Sequence, residues 1–459
     1  MTGIPVTAQV HADLVRRYGW HSTAPQTLAA HFRLWSMDAD AGVAYVDTGA
    51  AWVAAGPPLA AADRHAAVAA AFVQAAQQAK RRAVFFAVPA TLLPCGRSLA
   101  VGQEPLWDPS LWPATVRRHK SLGQQMRRAS HKGVVVRPAS AAEVGDASGR
   151  LRQQLDALMV RWSHHHPMPP MGFLVHLDPF CGAASRRFWI AEQPTPDAAT
   201  PRVVGLASCI PIPGAHGWLL EHLLRDPAAP NGCAELLVDA AMRGLAESRL
   251  VSLGIVPLYG VQHPVLRATA ALAEGLYHFR GLAAFKRKLQ PQCWEPVHIA
   301  CPRRTPTCLA LYDVLRAFAP AGLWRFGWGI LGRGSPALIR ALGWVLVPWT
   351  CALASMEGEV WFPDPRLQHF WTVFDIFLAA GLFALGKRWR QGLATVLASL
   401  ITADAVATFV EVLAYRQPAG LYADCVRGLA VLAPAATAVL LWNARAYRAR
   451  NRTPRPTEP

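Results

Sequence analysis

Four apolar stretches crowd the last quarter of this 459-residue chain, at residues 338–356, 370–386, 393–414 and 425–442, and each holds 17 to 22 residues. About 20 residues of helix cross the ~30 Å hydrocarbon layer of a bilayer. The sequence therefore predicts four membrane-spanning helices. Lys387, Arg388 and Arg390 lie between the second and third stretches, and Arg445, Arg448, Arg450 and Arg452 follow the fourth. The loop after the first carries Glu357, Glu359 and Asp364 against Arg366 alone. Basic loops stay on the cytoplasmic side, so both termini and the whole region before the first stretch are expected there. His11, Asp13, Arg16 and Arg17 interrupt any apolar core at the start, and no signal peptide is expected.

The preceding 336 or so residues are enough for two domains at ~100 to 200 residues each. Hydrophobic residues make up 53% of the chain and its mean hydropathy is +0.19, between the values of a soluble protein and a polytopic transporter. A formal charge of +17 and a pI near 10.0 point to an anionic partner, nucleic acid or an acidic lipid surface. The nine cysteines are scattered, odd in number and without a Cys-x-x-Cys pair, which fits free thiols in a reducing compartment.

Hydrophobic periodicity predicts strands over 42–46 and 51–55, a helix over 63–80 and a strand over 82–88. A second α/β set follows: a strand over 133–137, a helix over 143–162, strands over 203–210 and 217–224, a helix over 232–248 and a strand over 251–256. Between the two sets, residues 115–137 hold Arg117, Arg118, Lys120, Arg127, Arg128, Lys132 and Arg137 with His119 and His131, and no acidic residue. Such a segment is either a solvated helix face or a surface for phosphates, of nucleic acid or of acidic lipid.

Residues 225–232, Arg-Asp-Pro-Ala-Ala-Pro-Asn-Gly, join a strand to a helix whose apolar stripe runs through Cys233, Leu236, Leu237, Ala240 and Gly244. Asn231 reads as the N-cap. A helix N-terminus offers free N–H groups and a positive dipole to a phosphate or an oxyanion, although a plain cap is an equally good reading of these residues alone.

The run from His222 to Leu237 resembles the catalytic domain of the phosphatidylglycerol lysyltransferase family, the multiple peptide resistance factors. So do Leu253-Gly254-Ile255-Val256-Pro257-Leu258, Tyr277-His278-Phe279-Arg280-Gly281-Leu282 with Phe285-Lys286-Arg287-Lys288, and Trp294-Glu295-Pro296. Met168-Pro169-Pro170-Met171-Gly172-Phe173, Val101-Gly102-Gln103-Glu104 and Arg17-Tyr18-Gly19 extend the likeness over about residues 16–302. The resemblance implies tandem acetyltransferase-like (GNAT) folds that move an amino acid from aminoacyl-tRNA to the hydroxyl of phosphatidylglycerol. It also implies resistance to antimicrobial peptides. Family members commonly place a large multi-helix unit before the catalytic domain, whereas here four helices follow it. Where the family strand carries an acidic residue three positions before an arginine, this chain has Glu221 and Arg225, four apart.

Glu221, Asp226 and Glu235 are the carboxylates nearest the loop and candidates to orient or deprotonate the lipid hydroxyl, alongside Arg225 and Asn231. Glu235, in a first helical turn, is also favoured there by the dipole. Gly232, Lys286 and Lys288, together with Arg117, Arg118, Arg127, Arg128 and Lys132, are the candidate substrate-binding residues. His164, His165 and His166 are adjacent, a poor arrangement for one metal ion, and no metal site is expected. Asp375, Asp404 and Glu411 fall within apolar stretches, where ionisable groups are costly; Glu411 is near an end, and Arg340 and Arg427 are the expected partners of the two aspartates.

The predicted fold class is α/β, tandem GNAT-like folds followed by a four-helix transmembrane unit. Its expected parts are an N-terminal subdomain (1–108), a basic connecting segment (109–132), a catalytic subdomain (133–304), an amphipathic linker (305–336), the membrane unit (337–443) and a basic cytoplasmic tail (444–459). The function expected is an inner-membrane, multi-pass aminoacyltransferase with aminoacyl-tRNA and an anionic phospholipid as partners. Ester transfer of this kind requires no metal or redox cofactor. An acyl-CoA-dependent lipid acyltransferase of GNAT fold is the alternative, and a membrane-tethered nucleic-acid binder the third reading. The GNAT loop Arg/Gln-x-x-Gly-x-Gly/Ala is missing at residues 225–234, which disfavours CoA.

Overall fold

A computed structural model describes residues 8–93, 96–165, 171–194, 200–264, 266–267, 279–356, 364–414 and 420–450. The described chain divides into two compact units, one ending at Leu323 and one beginning at Trp324.

The first unit opens with helix α1 (Ala8–Tyr18), then β1 (Arg33–Asp38), β2 (Ala41–Asp47) and β3 (Ala51–Ala55). Helix α2 (His65–Gln78) crosses to β4 (Arg82–Val88), which lies parallel to β3. The helix is the alanine-rich one the periodicity predicts. Its Val68, Ala69, Phe72 and Ala76, at helical spacing, pack on Val43, Ala54, Ala83 and Phe85 of the strands. Strand β5 (Gly96–Trp107) ends this half, and α3 (Trp112–Arg118) and α4 (Lys120–His131) hold the basic segment.

The second half begins with β6 (Val135–Ala139), α5 (Ala141–Gly145) and α6 (Arg150–His165). The single helix predicted over 143–162 is thus two. Ser140 and Glu143 form a reciprocal capping box that starts a short helix, and the Asp146–Gly149 turn ends it. Then follow β7 (Arg187–Gln193), β8 (Arg202–Ile212), β9 (Gly217–Arg225), α7 (Cys233–Gly244), β10 (Leu250–Ser252), β11 (Val256–Pro257), α8 (Phe279–Lys288) and β12 (Cys293–Pro302).

All the strands belong to one sheet, in the order β1-β2-β3-β4-β12-β5-β10-β9-β8-β7-β6, with β11 alongside β5. Strand β12, late in the sequence and assigned to the second half, lies between β4 and β5 of the first. Strand β5 in turn supplies the neighbour of β10. The two halves therefore complete each other, and the boundary read from sequence is not a boundary in the sheet.

Helix α9 (Thr307–Phe318) closes the first unit. Residues 305–336 were expected to form a linker, yet Ala310, Val314 and Ala317 enter the core beside Val84, Phe86 and Ile299. The guanidinium of Arg82 grips buried Asp313 with two hydrogen bonds of 2.7 Å. That forked geometry fixes the helix to β4.

The second unit holds α10 (Leu323–Leu331), α11 (Pro336–Ser355), α12 (Pro365–Lys387), α13 (Gln391–Ala414) and α14 (Leu421–Arg450). The last four are long and apolar enough to cross a membrane. Helix α11 packs along α12 and α13 along α14. Ile339, Leu382, Leu385, Ala394, Leu397, Ala438 and Leu441 fill the end of the bundle that bears Lys387 and Arg445. Neither expected arginine reaches the intramembrane aspartates. Arg427 pairs with Asp424 one turn earlier, and the stem of Arg340 packs against Gly386. Glu357, Glu359, Arg452 and the opening seven residues lie outside the described residues.

Candidate functional site

Strand β9 runs beside β10 only from Gly217 to Leu219, where Leu250–Ser252 lie in parallel register. From Leu220 on, β9 has no partner on that side among the described residues, whereas the chain beyond β10 stays on β5, with Val256 opposite Gln103. The sheet opens between them. At the start of the opening β9 carries a bulge: Ser208 faces His222 and Cys209 faces Leu220, so Glu221 is the extra residue. A bulge re-aims side chains and is common beside active sites.

Glu221 is engaged on both oxygens. Arg186 Nη1 donates to Oε2 at 2.6 Å and Gln26 Nε2 to Oε1 at 3.0 Å. Gln26 also donates to the carbonyl of Leu174, and Arg186 Nε to that of Cys181. Glu221 therefore ties the α1 region and the 174–186 loops to β9. Adjacent His222 is buried, and burial pushes its imidazole down to about 4, so it is neutral at physiological pH.

The turn after β9 is pinned by Asp226. Arg161 and Arg202 each donate to Oδ2, at 2.7 and 2.6 Å, and the Ala228 N–H donates to Oδ1. Burial alone would raise this carboxyl; the N–H and the two guanidinium groups outweigh it and hold it below its ordinary range. Asn231 does not cap α7. The capping residue is Gly232, at φ +98°, and the Asn231 side chain instead accepts from Arg225 at 3.4 Å. Only glycine suits that backbone, which overrides the usual preference for asparagine at the cap.

The N-terminus of α7 is covered by protein. A Cβ at Gly232 would fall 2.0 Å from the carbonyl oxygen of Gln125 in α4, and Leu122, Met126 and Ala129 join the core against α7. Lys288 Nζ donates to Glu235 Oε1 at 2.6 Å and also contacts the Gln125 side chain. Neither Glu235 nor Lys288 is therefore free in this structure, and the turn does not present the open anion site its sequence suggested.

Lys286 is only 5% exposed. Its Nζ donates to the carbonyls of Leu253 (2.6 Å), Gly254 (2.7 Å) and Ile255 (3.4 Å), the segment that turns away from β9. Burial lowers its ammonium to about 7, with Glu104 acting in the opposite direction. Glu104, on β5, accepts from Ser252 Oγ, which itself accepts from the Gly254 N–H at 2.8 Å. Burial raises the Glu104 carboxyl, against the pull of Ser22, Ser252 and Lys286. The 252–255 turn is thus held from both sides by titratable groups. The sequence reading did not place Glu104, Ser252, Arg161, Arg186 or Arg202 in the site; for Glu104 the available signal was its place in the resembling motif at 101–104.

On the outward face of α3 and α4, Arg117, Arg118, Arg127, Arg128 and Lys132 are exposed and have no ion pair among the described residues. Arg137 is not part of this row, because Glu192 and Glu143 engage its guanidinium. His165 turns back to the carbonyl of Arg161, and His166 lies outside the described residues. So do Met168, Pro169, Pro170, Tyr277 and His278 of the resembling motifs.

The sequence pattern of "Phosphatidylglycerol lysyltransferase, C-terminal" matches residues 12–301. Two of the solved structures similar to the chain bear on its fold. One is the C-terminal domain of an Agrobacterium fabrum protein assigned as a lysylphosphatidylglycerol synthetase, at 21% identity and a TM-score of 0.58, covering 69% of this chain and 98% of that one. The other is L-PGS from Bacillus licheniformis, at 17% identity and 0.57, covering 69% and 97%. No curated protein matches. The likeness establishes the tandem acetyltransferase-like architecture of residues up to about 300.

Proposed function

The chain belongs to the phosphatidylglycerol lysyltransferase C-terminal family, and from that premise we propose that it is a membrane-anchored aminoacyltransferase that moves an amino acid from aminoacyl-tRNA to the hydroxyl of an anionic lipid such as phosphatidylglycerol. One observation carries the reading beyond family membership. The exposed cations of α3 and α4 stand on a helix pair whose inner face packs on the turn at Gly232, so an unpaired positive surface borders the loop that follows the opened strand β9. A tRNA end and an acidic headgroup both require such a surface.

In the proposed step the lipid hydroxyl oxygen attacks the carbonyl carbon of the aminoacyl ester. A new C–O bond forms, the bond to the tRNA ribose oxygen breaks, and the proton lost by the lipid hydroxyl is balanced by one gained at the ribose. The transfer site is the opening between β9 and the 252–255 turn. Glu221, through Arg186, and Lys286, with Glu104 and Ser252, are positioning residues that fix its two walls. Asp226, Arg225, Asn231 and the Glu235–Lys288 pair shape the turn. Arg117, Arg118, Arg127, Arg128 and Lys132 contact phosphates. The four long apolar helices support a membrane location, and the basic residues Lys387, Arg388, Arg390 and Arg445 support a cytoplasmic site with both termini on that side.

Replacing Arg127, Arg128 and Lys132 together by glutamine tests the reading. Transfer from charged tRNA to phosphatidylglycerol vesicles should fall, and the salt dependence of tRNA binding should flatten by about one unit per lost contact. An unchanged salt slope, or a parent chain that consumes acyl-CoA and ignores charged tRNA, refutes it.

A further inference from the structure

The four-helix unit is packed at one end and hollow at the other. Above the leucine and alanine layer around Leu385 and Leu441, the helix pairs α11–α12 and α13–α14 stand apart around a cavity of about 680 Å³. Its walls are mainly Leu, Val, Ala and Trp, but Asp375 from α12 and Asp404, Thr408 and Glu411 from α13 face into it. The last three recur at i, i+4 and i+7, one stripe of one helix.

Asp375 is the most telling of these. It is 6% exposed, lines the cavity, and has no hydrogen bond or ion pair among the described residues. Its charged neighbour is Asp404, which repels it. Thr408 Oγ1 donates to Asp404 at 3.3 Å, and no cationic side chain reaches either aspartate among the described residues. Arg427 also lines the cavity, though Asp424 already engages it. Pro348 and Pro434 interrupt α11 and α14 at the wall, and Pro434 has no N–H to offer the carbonyl of Ala430, which lines the same space. Among the described residues the charged groups that line the cavity are thus three carboxyl groups and Arg427, whose guanidinium Asp424 already engages. An apolar chamber whose carboxyl groups meet no cation among the described residues is complementary to a cation on an apolar body.

We propose that this cavity binds a lipid with an ammonium headgroup, the ammonium held between Asp375 and Asp404 and its acyl chain along the apolar walls, with Arg427 beside the lipid phosphate. Two lipids share this chemistry, an aminoacylated phosphatidylglycerol and phosphatidylethanolamine. The proposal does not depend on the transfer reaction, because the ligand is supplied from outside in the test.

The full chain in detergent is titrated separately with lysyl-phosphatidylglycerol, phosphatidylethanolamine and phosphatidylglycerol, and binding is read by native mass spectrometry. Ammonium lipids should bind at least about tenfold more tightly than phosphatidylglycerol, and Asp375→Asn with Asp404→Asn should abolish that preference while phosphatidylglycerol binding stays the same. Tight binding of the lysyl lipid alone assigns the site to aminoacylated lipid; equal binding of both ammonium lipids assigns it to the headgroup in general. Should the double variant fail to fold, Ala433→Trp fills the chamber without touching a carboxylate and should likewise remove the preference. Equal affinity of the parent for all three lipids, or a preference that survives in every folded variant, overturns the proposal.

Discussion

Gly232→Ala is the sharpest test of how the basic helix is seated. At φ +98° a side chain is strained wherever it points, and leaving the glycine-only region costs about 1–3 kcal/mol. Space is the second charge against it. The new methyl would fall 2.0 Å from the Gln125 carbonyl oxygen and 2.7 Å from its carbon, both backbone atoms of α4. Restoring ordinary contact requires α4 to retreat by about 1.4 Å, and overfilling a packed interface of this kind costs about 1–3 kcal/mol. Together the two effects predict a loss of ~2–6 kcal/mol. At no more than about 2–4 °C per kcal/mol, the value for domains of about 150–250 residues, unfolding of the detergent-solubilised chain should begin about 4–24 °C lower. Hydrogen exchange should speed up first over residues 120–131, because Leu122, Met126 and Ala129 lose their seat. Gly145→Ala, where a Cβ meets nothing within 4 Å, is the matched control and should be neutral or slightly stabilising. If Gly232→Ala melts with the parent and leaves exchange in α4 unchanged, the covered N-terminus of α7 is wrong.

Two further outcomes concern pH. The Asp226 carboxyl is held below its unfolded value near ~3.9, so its contribution is complete above that pH and disappears as pH falls through the lower folded value; the stability gap between the parent and Asp226→Asn should close in acid. Lys286 behaves in the opposite sense. Its folded value of about 7 lies below the ordinary 10.5, so between these the unfolded chain binds the extra proton and stability rises with pH, a rise that Lys286→Met should remove. A parent whose melting temperature is flat from pH 7 to 10 would show that the ammonium is not buried as described.

Elements governed by local pattern were readable from sequence, and those governed by distant pairing were not. Helix α2 follows from its alanine-rich period, and the strands at 51–55 and 82–88 fall where the apolar runs place them. The break between α5 and α6 was written in Asp146 and Gly149, whose turn ends the short helix, yet the apolar period continues across it. Nothing near residues 293–302 says that they lie between β4 and β5, since that choice is made by strands some 200 residues earlier. The lysines show the same limit. A basic run reads as a solvated tail or a phosphate clamp, but the carbonyls that bury Lys286 come from residues 253–255, and Glu235 meets Lys288 from another helix. Asp375 and Asp404 were marked by their cost in an apolar stretch, whereas the chamber they share appears only when four helices are placed together.

The interleaving of β12 also sets a schedule for biosynthesis. Roughly 200 residues separate the end of β4 from Cys293, and at ~5–20 residues per second the ribosome takes on the order of 10–40 s to make them. Throughout that interval the edge of β4, with Phe85 and Phe86 beside it, has no strand to pair with, and such edges invite association with other chains. The N-terminal half is therefore a poor candidate for separate expression, and a nascent chain paused within this interval is the species a chaperone would meet. Pro302 is made before Pro336, so the last strand precedes the first membrane helix in synthesis, and the order of the chain lets the sheet be finished before insertion commits the remainder to the bilayer.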